Sequence, residues 1–208
     1  MKKFLLIDDH KVVLSGINGL LSGLYNPCEI DESSDADTVI EKLKKNEYDL
    51  VMMDVQIPNN DMLGLMEYIH TKYPMIKVLI FSMSSENIYA KRFLKAGAMG
   101  FLSKDSQLDE ITKAVNLVLS NRKYISEKLA ASLAEGFLSG KASNPFDNLS
   151  LREFEITSLL LSGQTSSDIS KSLNLQPSTV GTHKARAFEK LKISNLLELK
   201  ELATSYNL

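Results

Sequence analysis

Over the first 121 residues, short and wholly apolar runs alternate with stretches of helical hydrophobic spacing. The runs Phe4-Leu5-Leu6-Ile7, Leu50-Val51-Met52-Met53, Val78-Leu79-Ile80-Phe81 and Met99-Gly100-Phe101-Leu102-Ser103 predict strands buried on both faces of a parallel sheet. Another strand is predicted around Cys28-Ile30. Each is followed by an amphipathic stretch: Val12-Val13, Ile17, Leu20-Leu21 and Leu24; Val39-Ile40 and Leu43; Leu63, Met66 and Ile69; Ala90, Phe93-Leu94 and Ala96; Ile111, Ala114-Val115 and Val118-Leu119. Five βα units of this length predict an α/β domain, a doubly wound five-stranded parallel sheet. Pro58 and Pro74 fall in the expected loops, and Gly97 at a helix C-terminus.

The pattern changes after residue 121. Tyr124-Ile125 precedes a helical stretch marked by Leu129, Leu133 and Phe137. Ser139-Gly140-Lys141-Ala142-Ser143-Asn144-Pro145 is small and polar and predicts an interdomain linker, so residues 122–148 form a helical extension and linker. Beyond it only helical periodicity remains, giving a small all-α domain over 149–208 with helices near 150–162, 166–173, 177–191 and 195–206. Ser150 with Glu153 is a capping box, Gly163 ends that helix, Asn174-Leu175-Gln176 is a tight turn, and Pro177 suits a first helical position. Helix, short turn and a second helix carrying basic residues is the helix-turn-helix arrangement.

Composition narrows the setting. The 208 residues allow one large or two modest domains, and 44% hydrophobic with 24% charged residues is an ordinary globular mixture. A net charge of −2 argues against a chain that coats nucleic acid along its whole surface. Residues 1–140 carry 16 basic and 19 acidic side chains, and residues 141–208 carry 8 and 7. Lys184, Arg186, Lys190 and Lys192 lie against Glu189 alone, so one helix and its following turn hold the positive charge. Cys28 has no partner for an intrachain disulfide, which fits a reducing cytoplasm, and is expected to be a small, partly buried residue. Met1-Lys2-Lys3-Phe4 begins too short an apolar run for a signal peptide, and no stretch approaches the roughly 20 apolar residues of a membrane span. The expectation is a cytoplasmic protein without a membrane partner.

In a parallel sheet the carboxyl ends of the strands line the ligand crevice. Asp8, Asp9, Asp54, Ser82 and Lys104 all fall at such ends and should converge. Mg²⁺ takes oxygen ligands, usually a few carboxylates with water and substrate oxygens completing the octahedron. Asp54, at the tip of a central strand, is the candidate nucleophile for a phosphoryl group. Lys104 would neutralise phosphoryl oxygens, and the Ser82 hydroxyl would donate a hydrogen bond to one. Crowding three carboxylates is unfavourable, and the metal and Lys104 offset it. Each aspartate taken alone reads as a helix cap; that reading weakens when all five groups fall at the same ends of four strands. His10 reads as a helix-start residue, Asn26 as a turn residue and the methionines as packing.

Ile7-Asp8-Asp9-His10, Met53-Asp54-Val55-Gln56-Ile57-Pro58, Phe81-Ser82 and Gly100-Phe101-Leu102-Ser103-Lys104-Asp105 make residues 1–121 resemble a receiver domain of bacterial two-component response regulators. The resemblance implies a flavodoxin/CheY-like fold and phosphorylation of Asp54 by a sensor histidine kinase. It implies Mg²⁺ held by Asp8, Asp9, Asp54 and the main-chain carbonyl of Gln56, with Ser82 and Phe101 as a switch pair. Gly64 lies ten positions after Asp54, further than is usual in the family, so Asn59-Asn60-Asp61-Met62 resembles a two-residue extension. Residues 149–206 resemble the LuxR-type domain of the NarL/FixJ class through Leu149, Arg152, Glu153, Gly163, Ile169, Leu173, Ser178-Thr179-Val180, His183, Lys190-Leu191 and Glu198.

A helical wheel puts Val180, Ala187 and Leu191 on one stripe of the third helix, with Ser178, Thr182, Ala185, Arg186 and Glu189 opposite. Arg186 can reach guanine, and Thr182 or Ser178 can read base edges or methyls. Thr179, Lys184 and Lys190 suit phosphates. The combined expectation is a response regulator in which a phosphoryl group on Asp54 switches the receiver, pairs two chains as a homodimer and controls binding to double-stranded promoter DNA. Two other readings stand beside it. An aspartate-nucleophile phosphatase usually carries a second aspartate where this chain has Gln56. A phosphorylation-gated protein-interaction adaptor would suit Gly181, Ala185 and Glu189, which depart from the basic or base-reading residues usual in the family. On that reading the basic stripe is a solvated face or binds protein.

Overall fold

The computed structural model describes residues 1–206 except positions 59, 85 and 139–143; side chains at 87, 88, 132, 133, 135–138 and 151 are also outside the description. It divides into two compact units, Met1–Ser132 and Leu133–Leu208.

The first unit alternates strand and helix: β1 Lys2–Ile7, α1 Lys11–Leu24, β2 Cys28–Ser33, α2 Ala36–Lys45, β3 Leu50–Met53, α3 Met62–Lys72, β4 Lys77–Ser82, α4 Glu86–Lys95, β5 Gly100–Ser103 and α5 Leu108–Leu119. The sheet order is β2-β1-β3-β4-β5 with every pair parallel. Chain order and sheet order part company at β1, between β2 and β3, which opens the crevice beyond the strands' carboxyl ends. Continuous apolar runs form the inner strands because helices cover both faces: all four residues of β3 are buried. One face packs Phe4, Leu6, Met52, Leu79, Phe81 and Leu102 against Leu14, Ile17 and Leu21 of α1 and Ile111, Ala114, Val115 and Val118 of α5.

The second strand runs further than its apolar residues suggested, to Ser33, because β1 supplies partners along its whole length. Gly97 has φ +107, a left-handed conformation that glycine adopts without a Cβ penalty, and it closes α4 ahead of β5. After α5, the Tyr124 backbone bridges to Gly100 at the edge of β5, and Leu129 of α6, Glu127–Leu138, is buried. The side chains of Leu133 and Phe137 and most of the expected linker, 139–143, lie outside the described residues.

Asn144 and Pro145 begin a structured element where composition suggested linker. The Asn144 side chain accepts the Phe146 amide at 3.0 Å, starting a 3-10 turn over Pro145–Asn148. Phe146 is fully buried and stacks edge-on to Tyr206. Four helices follow: α7 Leu151–Leu161, α8 Ser166–Ser172, α9 Pro177–Leu191 and α10 Leu196–Ser205. Ser150 and Glu153 form the expected capping box, and Thr165 with Asp168 forms a second. Val180, Ala187 and Leu191 are buried as the wheel suggested, together with Phe188. Among the described residues, no helix is long and apolar enough to cross a membrane.

Candidate functional site

β1, β3, β4 and β5 end beside one another and deliver their terminal polar residues to one place. Asp8 follows β1 and Asp54 follows β3; both are nearly buried, at 3% and 4% exposure. Their amides are fixed by the neighbouring strands, Asp8 N–H donating to the Ser33 carbonyl at 3.0 Å and Asp54 N–H to the Ile7 carbonyl at 2.9 Å. Lys104, just past β5, reaches between them: its Nζ lies 2.6 Å from Asp8 Oδ2 and 2.7 Å from Asp54 Oδ2. Burial pulls the Lys104 ammonium pKa down, but the hydrogen bonds and charges of Asp54 and Asp8 outweigh it and hold the pKa above the ordinary lysine value. Ser82, wholly buried at the end of β4, donates from Oγ to Asp54 Oδ1 at 2.7 Å. Gln56 closes the other side, its main-chain N–H donating to the same Oδ1 at 3.1 Å. Every oxygen of the Asp54 carboxylate is therefore engaged.

Asp9 is exposed at the rim. None of the three aspartates is the cap of a following helix: the α1 N-cap is His10 and the α3 N-cap is Asp61. A Cβ at Gly64 would collide with the Asp61 carboxylate that caps α3, which explains glycine there. His10 starts its helix as expected, yet its Nδ1 also lies 2.9 Å from Asp9 Oδ1 and 3.1 Å from Asp8 Oδ1. Ligand atoms of Asp8, Asp9, His10 and Asp54 lie within 4.8 Å of one another. Oxygens around Mg²⁺ sit about 2.1 Å from it, hence roughly 3–4 Å apart, so this oxygen-dominated set fits a small hard dication.

Phe101 is fully buried in β5, paired in register with Ile80. Of the expected switch pair, Ser82 contacts Asp54 and Phe101 is covered. Ser84 was not anticipated: it is buried, its N–H donates to Ser82 Oγ at 3.2 Å, and its own Oγ lies 3.2 Å from the same atom. A serine two positions past a strand, in the run Ser82-Met83-Ser84-Ser85, carries no sequence signal for that contact.

In the second unit, Ser178, Thr182, Ala185, Arg186 and Glu189 are all exposed on α9, opposite its buried stripe. Thr182 Oγ1 donates to the Ser178 carbonyl at 2.9 Å. Thr179 and Lys184 are half-buried, and Lys184, one turn after Val180 and one turn before Phe188, has its Nζ 5.4 Å from the Phe188 ring centroid. Lys190 is held differently from the rest: its Nζ lies 2.7 Å from Oε2 of Glu153, a carboxylate 3% exposed that also accepts the Ser150 N–H at 2.7 Å. Burial pushes the Glu153 carboxyl pKa up, but Lys190 and the two Ser150 donors outweigh it and hold the pKa below the ordinary glutamate value.

Comparison with known proteins gives two family matches: the response regulator receiver domain over residues 4–116 and the luxR family of bacterial regulatory proteins over residues 147–203. The chain is 34% identical to the response regulator GacA of Pseudomonas syringae pv. syringae, over 100% of this chain and 98% of that protein. It is 32% identical to the response regulator UvrY of Escherichia coli K12, over 100% and 96%. RcsB of Salmonella enterica serovar Typhimurium, solved bound to promoter rprA in the presence of the phosphomimetic BeF3−, shares the fold with a TM-score of 0.72 at 22% identity, over 99% of this chain and 100% of that one.

Proposed function

The chain belongs to the response regulators, pairing a receiver with a luxR-type DNA-binding domain in the manner of the NarL/FixJ class, and we propose that Asp54 takes the phosphoryl group that controls it. The supporting observation is the junction at Asp54: a buried carboxylate bonded at once to Lys104, Ser82 and the Gln56 amide. A sensor histidine kinase is the donor. An Asp54 oxygen attacks phosphorus, the P–N bond of the kinase's phosphohistidine breaks, and its electron pair returns to the imidazole. Asp8, Asp9, Asp54 and the Gln56 carbonyl would hold Mg²⁺, which would supply positive charge to the transferring phosphoryl oxygens. Lys104 exchanges its Asp54 contact for a phosphoryl oxygen, and the Ser82 hydroxyl donates to another.

The phosphoryl group brings about −2 charge and new acceptor oxygens. It shifts the receiver only by its differential affinity for two arrangements. Ser82, bonded to Asp54, and the buried Phe101 are the residues through which the phosphoryl group biases that equilibrium. The receiver spans 1–121 and the DNA-binding domain 149–208, to which the Pro145–Asn148 turn of the expected linker also belongs, since Phe146 is buried beside Tyr206. Paired receivers place two α9 helices in successive major-groove half-sites of promoter DNA in the cytoplasm. Arg186, Thr182 and Ser178 read bases, while Thr179, Lys184 and Lys190 contact phosphates, Lys190 in competition with Glu153.

A gel shift with the gene's own upstream DNA tests this reading. Acetyl phosphate with Mg²⁺ should tighten binding by the wild-type chain and leave Asp54→Asn unchanged. Equal binding by treated and untreated wild-type protein would refute phosphoryl control; absence of DNA binding in either state would favour the adaptor reading, which rests on the exposed Gly181, Ala185 and Glu189.

A further inference from the structure

The loop after Asp54 is fastened to another helix by one side chain. Asn60 Oδ1 accepts the main-chain N–H of Ala36, the first residue of α2, at 2.7 Å. That donor is one of the amides a helix start leaves unpaired, and the α2 N-cap, Asp35, spends its carboxylate on Thr38 instead. Asn60 also grips its own loop: its N–H donates to the Ile57 carbonyl at 3.2 Å and its Nδ2 to the Pro58 carbonyl at 2.9 Å. Ile57 is buried, and Gln56 N–H reaches Asp54 Oδ1. Hydrogen bonds and two covalently adjacent residues thus run from the Asp54 carboxylate to the first turn of α2.

We propose that Asn60 is a positioning residue of the phosphoryl site, pinning Ile57 and Pro58 to α2 so that the Gln56 carbonyl stays in place for the metal. This rests on the assignment of the Gln56 carbonyl as a Mg²⁺ ligand. Asn60 touches neither metal nor phosphoryl group; it acts through the loop, as outer-shell partners fix the orientation of metal ligands.

The test is a Mg²⁺ titration of the full-length chain followed by amide NMR shifts of residues 54–57, with amide exchange at Ala36 measured on the metal-free protein. Asn60→Ala should raise the half-saturating Mg²⁺ roughly tenfold and speed Ala36 exchange. Asn60→Asp keeps an acceptor for Ala36 and places a negative charge at a helix N-terminus, so it should restore Ala36 protection, but it loses the Nδ2 donor to the Pro58 carbonyl and should restore the Mg²⁺ half-saturation only in part. Unchanged Mg²⁺ half-saturation in Asn60→Ala, or Ala36 exchange as fast in Asn60→Asp as in Asn60→Ala, would overturn the positioning role while leaving the phosphoryl site intact. A wild-type chain whose 54–57 amides do not respond to Mg²⁺ would overturn the metal assignment and this role together.

Discussion

Removing Lys104 should make the receiver's stability depend on magnesium. Its ammonium bridges two carboxylates that are 3% and 4% exposed, and its own side chain is 7% exposed. Deleting one partner of such a buried arrangement typically costs about 3–5 kcal/mol, because uncompensated charge is left in a poorly solvated place. The rim of the crevice is open enough at Asp9 for water to relieve part of this, so the low end applies to Lys104→Ala. At roughly 4 °C per kcal/mol for a unit of this size, the transition should fall by about 10 °C. A dication at a hundredfold excess over its dissociation constant returns about 2.7 kcal/mol. Mg²⁺ should therefore rescue most of the loss in Lys104→Ala and add less to wild type, where the ammonium already occupies Asp8 Oδ2 and Asp54 Oδ2. The assay is thermal unfolding of the full chain followed by near-UV circular dichroism, with and without Mg²⁺. A drop of under about 1 kcal/mol, or equal Mg²⁺ stabilisation of both proteins, would refute the reasoning.

Four further outcomes follow from other residues. The Glu153 pKa is lowered in the folded state, so its contribution is present above the unfolded value and is lost as pH falls through the folded one. Glu153→Gln should flatten the acid limb of the second unit's stability, and an unchanged acid limb on pH titration of the unfolding midpoint would count against the Lys190 and Ser150 contacts. Ser82→Ala leaves Asp54 Oδ1 with the Gln56 amide alone; it should slow phosphoryl uptake from acetyl phosphate while Lys104 keeps the site assembled, measured by Phos-tag gel mobility. Arg186→Ala should cost about 1–3 kcal/mol of DNA affinity and relax preference at one base pair, whereas Lys184→Ala should weaken all sequences alike and reduce the salt dependence, both read by fluorescence anisotropy.

The sheet was legible because its apolar runs are buried on both faces and show no alternation, as in β3, and because each helix carries the chain back to start another strand parallel to the last. The recognition helix was legible because Pro177 opens it and its buried stripe keeps a helical period through Val180, Ala187 and Leu191. The polar groups at the strand ends could be expected to gather, but not who bonds whom. Lys104 bridging Asp8 as well as Asp54, Ser84 behind Ser82, Lys190 turned onto Glu153 and Asn60 reaching Ala36 all depend on loop paths and tertiary spacing. Such contacts leave no periodicity in the chain. Phe146 was hidden for another reason: one aromatic residue after a small polar run reads as linker until its burial beside Tyr206 is seen.

The assignment of Asp54 is tested most directly by treating the full-length chain with acetyl phosphate and Mg²⁺, then with sodium borohydride, which reduces an aspartyl phosphate to homoserine. Peptide mass spectrometry should find homoserine at position 54, and none when Mg²⁺ is chelated. Homoserine at position 8 or 9, or at no aspartate at all, would contradict it.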